Sequence, residues 1–247
     1  MDIRIGTAGW SFPRALEAFP VAGTSLERYA AVFGCVEINS SFYRPHQRKT
    51  YERWAASTPK DFRLAVKAPR TITHERRLAD TGDLMARFLD ETDGLGDKRG
   101  PLLIQLPPSL KFDAGLAERF LVDWRLRTNA ATVLEPRHVT WFTAEAEVLL
   151  SSFGVARVAA DPAIVPEAAK PGGASSLVYR RWHGSPDIYE SAYPPETLDR
   201  LAARLRSEAD SAETWCVFDN TKLGAATTDA LGLRDRLGTT RPKHTLL

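Results

Sequence analysis

Charged and amide residues recur in this sequence at the ends of short apolar runs. Glu37 and Asn39 close the run at 35–38. Lys67 follows 62–66, and Gln105 follows 102–104. Glu135, Pro136, Arg137 and His138 follow 132–134, and Asp161 follows 155–160. Arg180, Arg181 and His183 follow 177–179, and Asp219 and Asn220 follow 215–218. This set is suited to proton transfer and anion binding. Glu37 and Glu135 are candidate acid or base groups, and His183 and Asp219 could relay protons. Arg137 and Arg181 can grip a carboxylate or phosphate with two parallel bonds. Lys67 reads as a charge partner for Glu37 or for an anionic ligand. Desolvation would instead make it a Schiff-base amine. Asn39, Tyr43, Gln105, His138 and Asn220 complete the candidate substrate-binding set, although His138 could alternatively cap the segment that follows it. A divalent metal on His183 with Glu37, Glu135 or Asp219 is the only cofactor these residue types suggest, and no HxH or HExxH spacing supports it.

These residues need elements that bring them together. Eight β-type runs alternate with helical patterns, which implies a parallel sheet with helices packed outside it. The expected architecture is α/β, a TIM-type (β/α)8 barrel whose site lies at the C-terminal ends of its strands. Strand side chains alternate between faces. If Val36, Ile38, Leu64, Val66, Leu102, Ile104 and Leu134 meet the helices, then Glu37, Asn39, Lys67, Gln105, Glu135 and Arg137 point inward. Tyr179, Arg181 and His183 share a face, as do Trp215, Val217 and Asp219. Gly6 is expected to leave space near the axis. Arg4, near a strand start, reads as structural. The inward charges could simply neutralise one another, but their clustering at strand ends argues for a site.

Helical stripes are expected at 47–57, 78–95, 143–153, 195–209 and 225–237. Ser25 is the expected cap of a short helix before the second strand, and Asp113 precedes Leu116, Phe120 and Leu121, which read as another helix. Residues 162–175 hold three prolines and two adjacent glycines with no helical stripe, so a loop is expected to replace the helix after the sixth strand, either as a lid or as a surface excursion. The chain reads as one domain over 1–237 with a poorly ordered tail at 238–247.

The 247 residues suit one such barrel. The 33 basic and 31 acidic residues nearly cancel, so bulk charge does not favour nucleic acid. The local cluster Arg70, His74, Arg76 and Arg77 keeps a nucleic-acid-binding or nucleolytic reading open. Cys35 and Cys216 lie in apolar runs and read as buried free thiols, which suits a reducing cytoplasm. No secretory pattern opens the chain, and no apolar run approaches the roughly 18 residues of a membrane span.

Several motifs together resemble a known family. Gly6-Thr7-Ala8-Gly9-Trp10-Ser11 resembles GTSGW, and 36–43 resembles VEINSTFY. Residues 67–74 resemble KAPRxITH, and Gln105-Leu106-Pro107-Pro108 follows. Glu135-Pro136-Arg137-His138 resembles EFRH with proline for phenylalanine. Arg181-Trp182-His183-Gly184 resembles RLHG, and Phe218-Asp219-Asn220 resembles FDN. The set is similar to the YecE-like family, a domain of unknown function numbered seventy-two. The resemblance implies a TIM-type barrel and supplies no reaction. From the residues, the leading expectation is an enzyme using acid–base chemistry, hydrolysis or isomerisation, on a small anionic or polyhydroxylated compound. A non-catalytic ligand-binding barrel is the remaining alternative.

Overall fold

The computed structural model describes residues 3–13 and 16–238. Ten strands follow in chain order: β1 (Ile3–Thr7), β2 (Cys35–Ile38), β3 (Arg63–Lys67), β4 (Arg99–Gln105), β5 (Thr132–Glu135), β6 (Val155–Arg157), β7 (Ala159–Asp161), β8 (Gly172–Gly173), β9 (Leu177–Trp182) and β10 (Glu213–Phe218). The helices are α1 (Ser25–Ala30), α2 (Ser40–Tyr43), α3 (Arg48–Ala56), α4 (Gly82–Thr92), α5 (Ala114–Arg127), α6 (Ala144–Ser152), α7 (Pro195–Glu208) and α8 (Ala225–Leu237).

The strands form two sheets, in the orders β1-β10-β9-β7 and β2-β3-β4-β5-β6-β8. Every pairing is parallel except that of β6 with β8. The sixth expected run is interrupted at Val158. Its first half pairs with β5 and its second half with β9, and Val158 N–H donates to Leu134 O at 2.9 Å. Between the sheets at the other side, Gly9 N–H donates to Glu37 O at 2.8 Å, and Ala8 bridges Glu37 in parallel.

Alternation sorts the strand residues into two apolar layers. Val36, Ile38, Leu64, Val66, Leu102, Ile104 and Leu134 pack with helix residues such as Tyr29, Phe88, Leu121 and Trp124. Cys35, Ala65, Leu103, Val133, Tyr179, Trp215 and Val217 form a separate inner cluster. Trp215 fills the inner cluster near the strand starts. Its ring stacks on Tyr179 at 5.8 Å, and its Nε1 donates to Glu213 Oε1 at 2.9 Å. Arg4 covers it and pairs with Glu213, which is the structural role expected of that arginine.

Three expectations change. Thr24, not Ser25, caps α1, because Thr24 and Glu27 supply both halves of a capping box. The expected 78–95 helix is only Gly82–Thr92, followed by a 3-10 segment, Asp93–Lys98, in which Gly96 leaves helical geometry at φ 52°. Ahead of it, Arg77, Leu78 and Asp80 all have positive φ. Gly6 leaves no space near the axis; a Cβ there would lie 2.3 Å from Cys35 O, so glycine is what allows β1 to approach β2. Residues 162–175 carry a 3-10 turn, Pro166–Ala169, and the two-residue β8, and no α-helix. The helix expected after Asp113 is α5, and Asp113 caps it, accepting from Leu116 N–H at 2.8 Å. Apart from Gly238, the expected tail lies outside the described residues. No helix among the described residues is long and apolar enough to cross a membrane.

Candidate functional site

The C-terminal ends of β2, β3, β4, β5, β9 and β10 place nine of the expected residues in one bonded or electrostatically coupled group. Arg181 is its centre and is fully buried. Its Nε donates to Glu37 Oε2 at 3.0 Å and its Nη2 to Glu37 Oε1 at 2.7 Å. The same Nη2 donates to Asp219 Oδ2 at 2.7 Å, and Nη1 donates to Glu135 Oε2 at 2.7 Å. One guanidinium thus holds three carboxylates, the fork geometry that lysine does not offer. Tyr179 Oη donates to Glu37 Oε2 at 2.8 Å, and Gln105 Nε2 to Glu135 Oε2 at 3.1 Å.

His183 joins two of these carboxylates. Its Nδ1 lies 3.2 Å from Asp219 Oδ2 and its Nε2 2.9 Å from Glu135 Oε1. Arg137 Nη2 lies 3.0 Å from the same Nε2 and 2.8 Å from Glu135 Oε1. The doubly protonated ring donates to both carboxylates. The neutral ring, with its proton on Nδ1, accepts from Arg137. Both ring nitrogens are therefore bonded in either arrangement.

The charges tune one another. Burial opposes ionisation of Glu135, but Arg137, Arg181 and His183 outweigh it and hold the carboxyl well below its ordinary range. Asp219 is likewise lowered, burial being outweighed by Arg181, His183 and Lys67. Burial lowers the Arg181 value, yet Glu135, Glu37 and Asp219 outweigh it and push the guanidinium well above. Burial and then Glu37 push the Tyr179 phenol well up. Lys67 behaves differently. Burial, with Arg181 next, brings its ammonium down to about 8, against the opposing pull of Glu37, Glu135 and Asp219.

The group has two depths. Glu37, Glu135, Arg181 and His183 are at most 1% exposed and form a foundation. Lys67, Gln105 and Asp219 are 7–8% exposed, and the Arg137 side chain 19%. Asn39 stands beside them, its Nδ2 3.5 Å from Asp219 Oδ1. These five side chains form the layer a ligand would meet. Two of their polar atoms, Arg137 Nε and Asn39 Oδ1, are buried without a hydrogen-bond partner among the described residues. Lys67 Nζ lies 4.3 Å from the centre of the Phe42 ring.

Three expected residues lie outside this set. Tyr43 is 75% exposed, with its ring edge-on to Phe42. His138 caps the 3-10 turn Val139–Trp141 through Nδ1 and Thr140 N–H, the capping role left open by the sequence. Asn220 turns its amide to Ser191 O and Asp229 Oδ2, bracing the loop before α7 against α8. Tyr179 and Phe42 join the site although neither stood among the expected site residues. Alternation already put Tyr179 on the inward face of β9, and that was the available signal. In the basic cluster, Arg70 pairs with Glu75, and Arg77 donates to Ser109. Among the described residues, no three His, Cys, Asp or Glu side chains form a group that could hold a metal ion. At the centre, a guanidinium occupies the place between the carboxylates where a cation would sit.

The fold and site define an α/β protein with a polar cluster gathered at the C-terminal ends of its parallel strands. The chain belongs to the DUF72 family, described as a protein of unknown function, whose model matches residues 4–246. This bears out the YecE-like resemblance. The UPF0759 protein YecE of Escherichia coli K12 is 37% identical over 105 residues, which are 42% of this chain and 38% of that protein. The UPF0759 protein YunF of Bacillus subtilis 168 is 27% identical over 150 residues, covering 57% of this chain and 52% of the relative. The aligned stretches therefore span about half or less of these relatives. A crystal structure of a DUF72 family protein from Enterococcus faecalis V583 superposes with a TM-score of 0.82 at 18% identity, covering 97% of each chain. One from Thermotoga maritima MSB8 gives 0.81 at 23% identity, covering 96% of this chain and all of the other. These likenesses carry the fold.

Proposed function

We propose that this chain is an enzyme acting by acid–base chemistry on a small anionic, hydroxylated compound at the strand-end cluster. The observation that carries the reading is the pair of buried, unpaired polar atoms in the accessible layer. Arg137 Nε is a donor suited to an anion, and Asn39 Oδ1 an acceptor suited to a substrate hydroxyl. A bound ligand of that chemistry would satisfy both. Arg137 supplies positive charge to hold it, Gln105 and Asn39 orient it, and Asp219, backed by His183, is the carboxylate placed to exchange a proton with it. Glu37, Glu135 and Arg181 position these groups from beneath. In this reading the two sheets close through the Ala8–Glu37 bridge and the Val158–Leu134 bond into a (β/α)8-type barrel forming one domain of a cytoplasmic protein.

The test is thermal unfolding with inorganic phosphate, glycolate and glycerol 3-phosphate, using the wild type, Arg137→Ala and Asn39→Ala. A ligand at 100 times its Kd adds about 2.7 kcal/mol, or roughly 5–10 °C in Tm for a chain of this size. The expected result is a shift in the wild type that Arg137→Ala abolishes, with Asn39→Ala weakening only the hydroxylated ligands. Equal shifts in wild type and Arg137→Ala, or none in either, would remove the reading. With a short oligonucleotide added to the panel, a shift given by that probe alone and steeply reduced by salt would move the site to the Arg70–Arg77 region.

A further inference from the structure

Lys67 is the group that the ion-pair network leaves over. Arg181 satisfies Glu37, Glu135 and Asp219, and Arg137 adds a second guanidinium to Glu135. The Lys67 ammonium has no hydrogen bond or ion pair among the described residues. It ends β3, between β2 and β4, and the residue is 7% exposed. On one side it rests on the face of Phe42. The charged groups acting on it are Arg181, Glu37, Glu135 and Asp219, and it acts in turn on His74 above Phe42. Below, Ser41 Oγ donates to the Lys67 carbonyl at 2.7 Å, which ties the strand end to the turn that carries Phe42. A buried amine with the Arg181 guanidinium nearby and no carboxylate of its own has the surroundings in which an amine stays neutral and nucleophilic, although the Phe42 ring face pulls the other way.

We infer that Lys67 is a covalent catalytic residue that forms a Schiff base with the carbonyl carbon of a small anionic aldehyde or ketone, whose anionic group Arg137 holds. The inference rests on the proposed anion-binding reading of the same site and names its substrate class. The neutral amine attacks the carbonyl carbon, an N–C bond forms, and the C=O π pair moves to oxygen. Nitrogen gives up a proton to solvent and the oxygen takes one up, giving a carbinolamine. That hydroxyl then leaves as water, so amine plus carbonyl yields imine plus water with no oxidant or reductant. Asn39 Oδ1 is available for a hydroxyl beside the carbonyl, and Asp219 for a proton on the adjacent carbon. The substrate is then a hydroxy-carbonyl compound carrying a carboxylate or phosphate.

The experiment is reductive trapping on the full chain with sodium cyanoborohydride and formaldehyde, pyruvate or glycolaldehyde phosphate, read by peptide mass spectrometry. At pH 7.5, an amine near 8 holds on the order of a hundredfold more neutral form than an ordinary lysine. The expected result is one adduct on Lys67, forming at least tenfold faster than on any other lysine, with a rate that levels off above about pH 8. Arg137→Ala should slow the two anionic probes and leave formaldehyde unchanged. Lys67→Arg and Lys67→Met should lose the fast adduct while staying folded by circular dichroism. Formaldehyde labelling Lys67 no faster than surface lysines would overturn the covalent role. Fast formaldehyde labelling with no preference for the anionic probes in the wild type would overturn the substrate class. The phosphate-induced Tm shift separates the two readings. If it persists while trapping fails, the anion site stands without the Schiff base; if trapping succeeds without it, the amine chemistry stands and the anion site falls.

Discussion

Arg181 carries more of the site than any other side chain. Three carboxylates are buried around one guanidinium, and removing that group leaves them to repel one another in a medium that solvates them poorly. Arg181→Ala is expected to lose about 3–5 kcal/mol, measured by urea denaturation, or to fail to fold. Arg181→Lys should recover only part, since a single ammonium cannot reproduce the two-pronged contact with Glu37. Lys67 makes the opposite prediction. Its ammonium falls from an ordinary 10.5 to about 8 on folding. Between these values the unfolded chain binds the proton and the folded chain does not, so stability rises with pH across that window. Below about pH 8 the charged form is buried at a cost of up to about 3 kcal/mol. Lys67→Met should therefore be more stable than the wild type at pH 7. The gap should narrow as pH rises from about 8 to 10.5, and comparing the two proteins cancels the tyrosines and Cys216 that titrate higher still. A gap that is absent at pH 7, or that widens with pH, would show that Lys67 is not buried as a strained cation.

The elements that gather these residues depend on close approach and on caps. Gly6 lets β1 lie against β2, where a Cβ would meet Cys35 O at 2.3 Å. A backbone oxygen cannot swing aside as a side chain can. Gly6→Ala is expected to cost about 1–3 kcal/mol by urea denaturation, through displacement of β1 and of the Ala8–Glu37 bridge. Thr24→Ala should cost less, about 1 kcal/mol, because only the α1 cap is lost. These two positions also mark the limit of what the sequence discloses. Strand alternation was legible because one face had to meet helices, and it placed Glu37, Lys67, Glu135, Arg137, Arg181, His183 and Asp219 together without any contact being known. Gly6 was not legible, since a glycine reads the same whether it leaves space or permits contact. Ser25 and Thr24 are adjacent and chemically alike, and only the reach of Glu27 decides between them. His138 and Asn220 sit in the right motifs, but local bonds to Thr140 and to Asp229 claim their side chains, and such bonds are set by loop geometry that periodicity does not carry.

At the scale of the whole molecule, the cluster makes stability depend on acid. It sits where parallel strands from both sheets end, so its charges link β2, β5, β9 and β10 through one network. Glu135 is held well below its ordinary value and Asp219 below its own, so both stay ionised in the folded chain after their unfolded counterparts begin to take up protons. The stability they contribute is fully present above the ordinary carboxylate values, about 4.5 and 3.8, and is lost as pH falls through the lower folded values. In the wild type the contribution of these two carboxylates to the urea midpoint should hold steady from pH 7 to about 5 and then fall steeply. This comes on top of the loss below about pH 6.5 from His46 and His74, whose values burial lowers. Glu135→Gln removes one of the depressed carboxylates and leaves Arg181 two partners. Its stability should start lower at pH 7 and fall less between pH 5 and 3, so that the two curves converge on acidification. Parallel curves would mean that Glu135 contributes no linkage, and the acid loss would then belong to Asp219 and to exposed carboxylates such as Glu27 in the α1 cap. Salt separates the two sources. Exposed pairs weaken as ionic strength rises, whereas the buried network is screened far less. Convergence that survives added salt therefore assigns the acid sensitivity to the site, and makes the same charges responsible both for holding the strand ends together and for the chemistry proposed there.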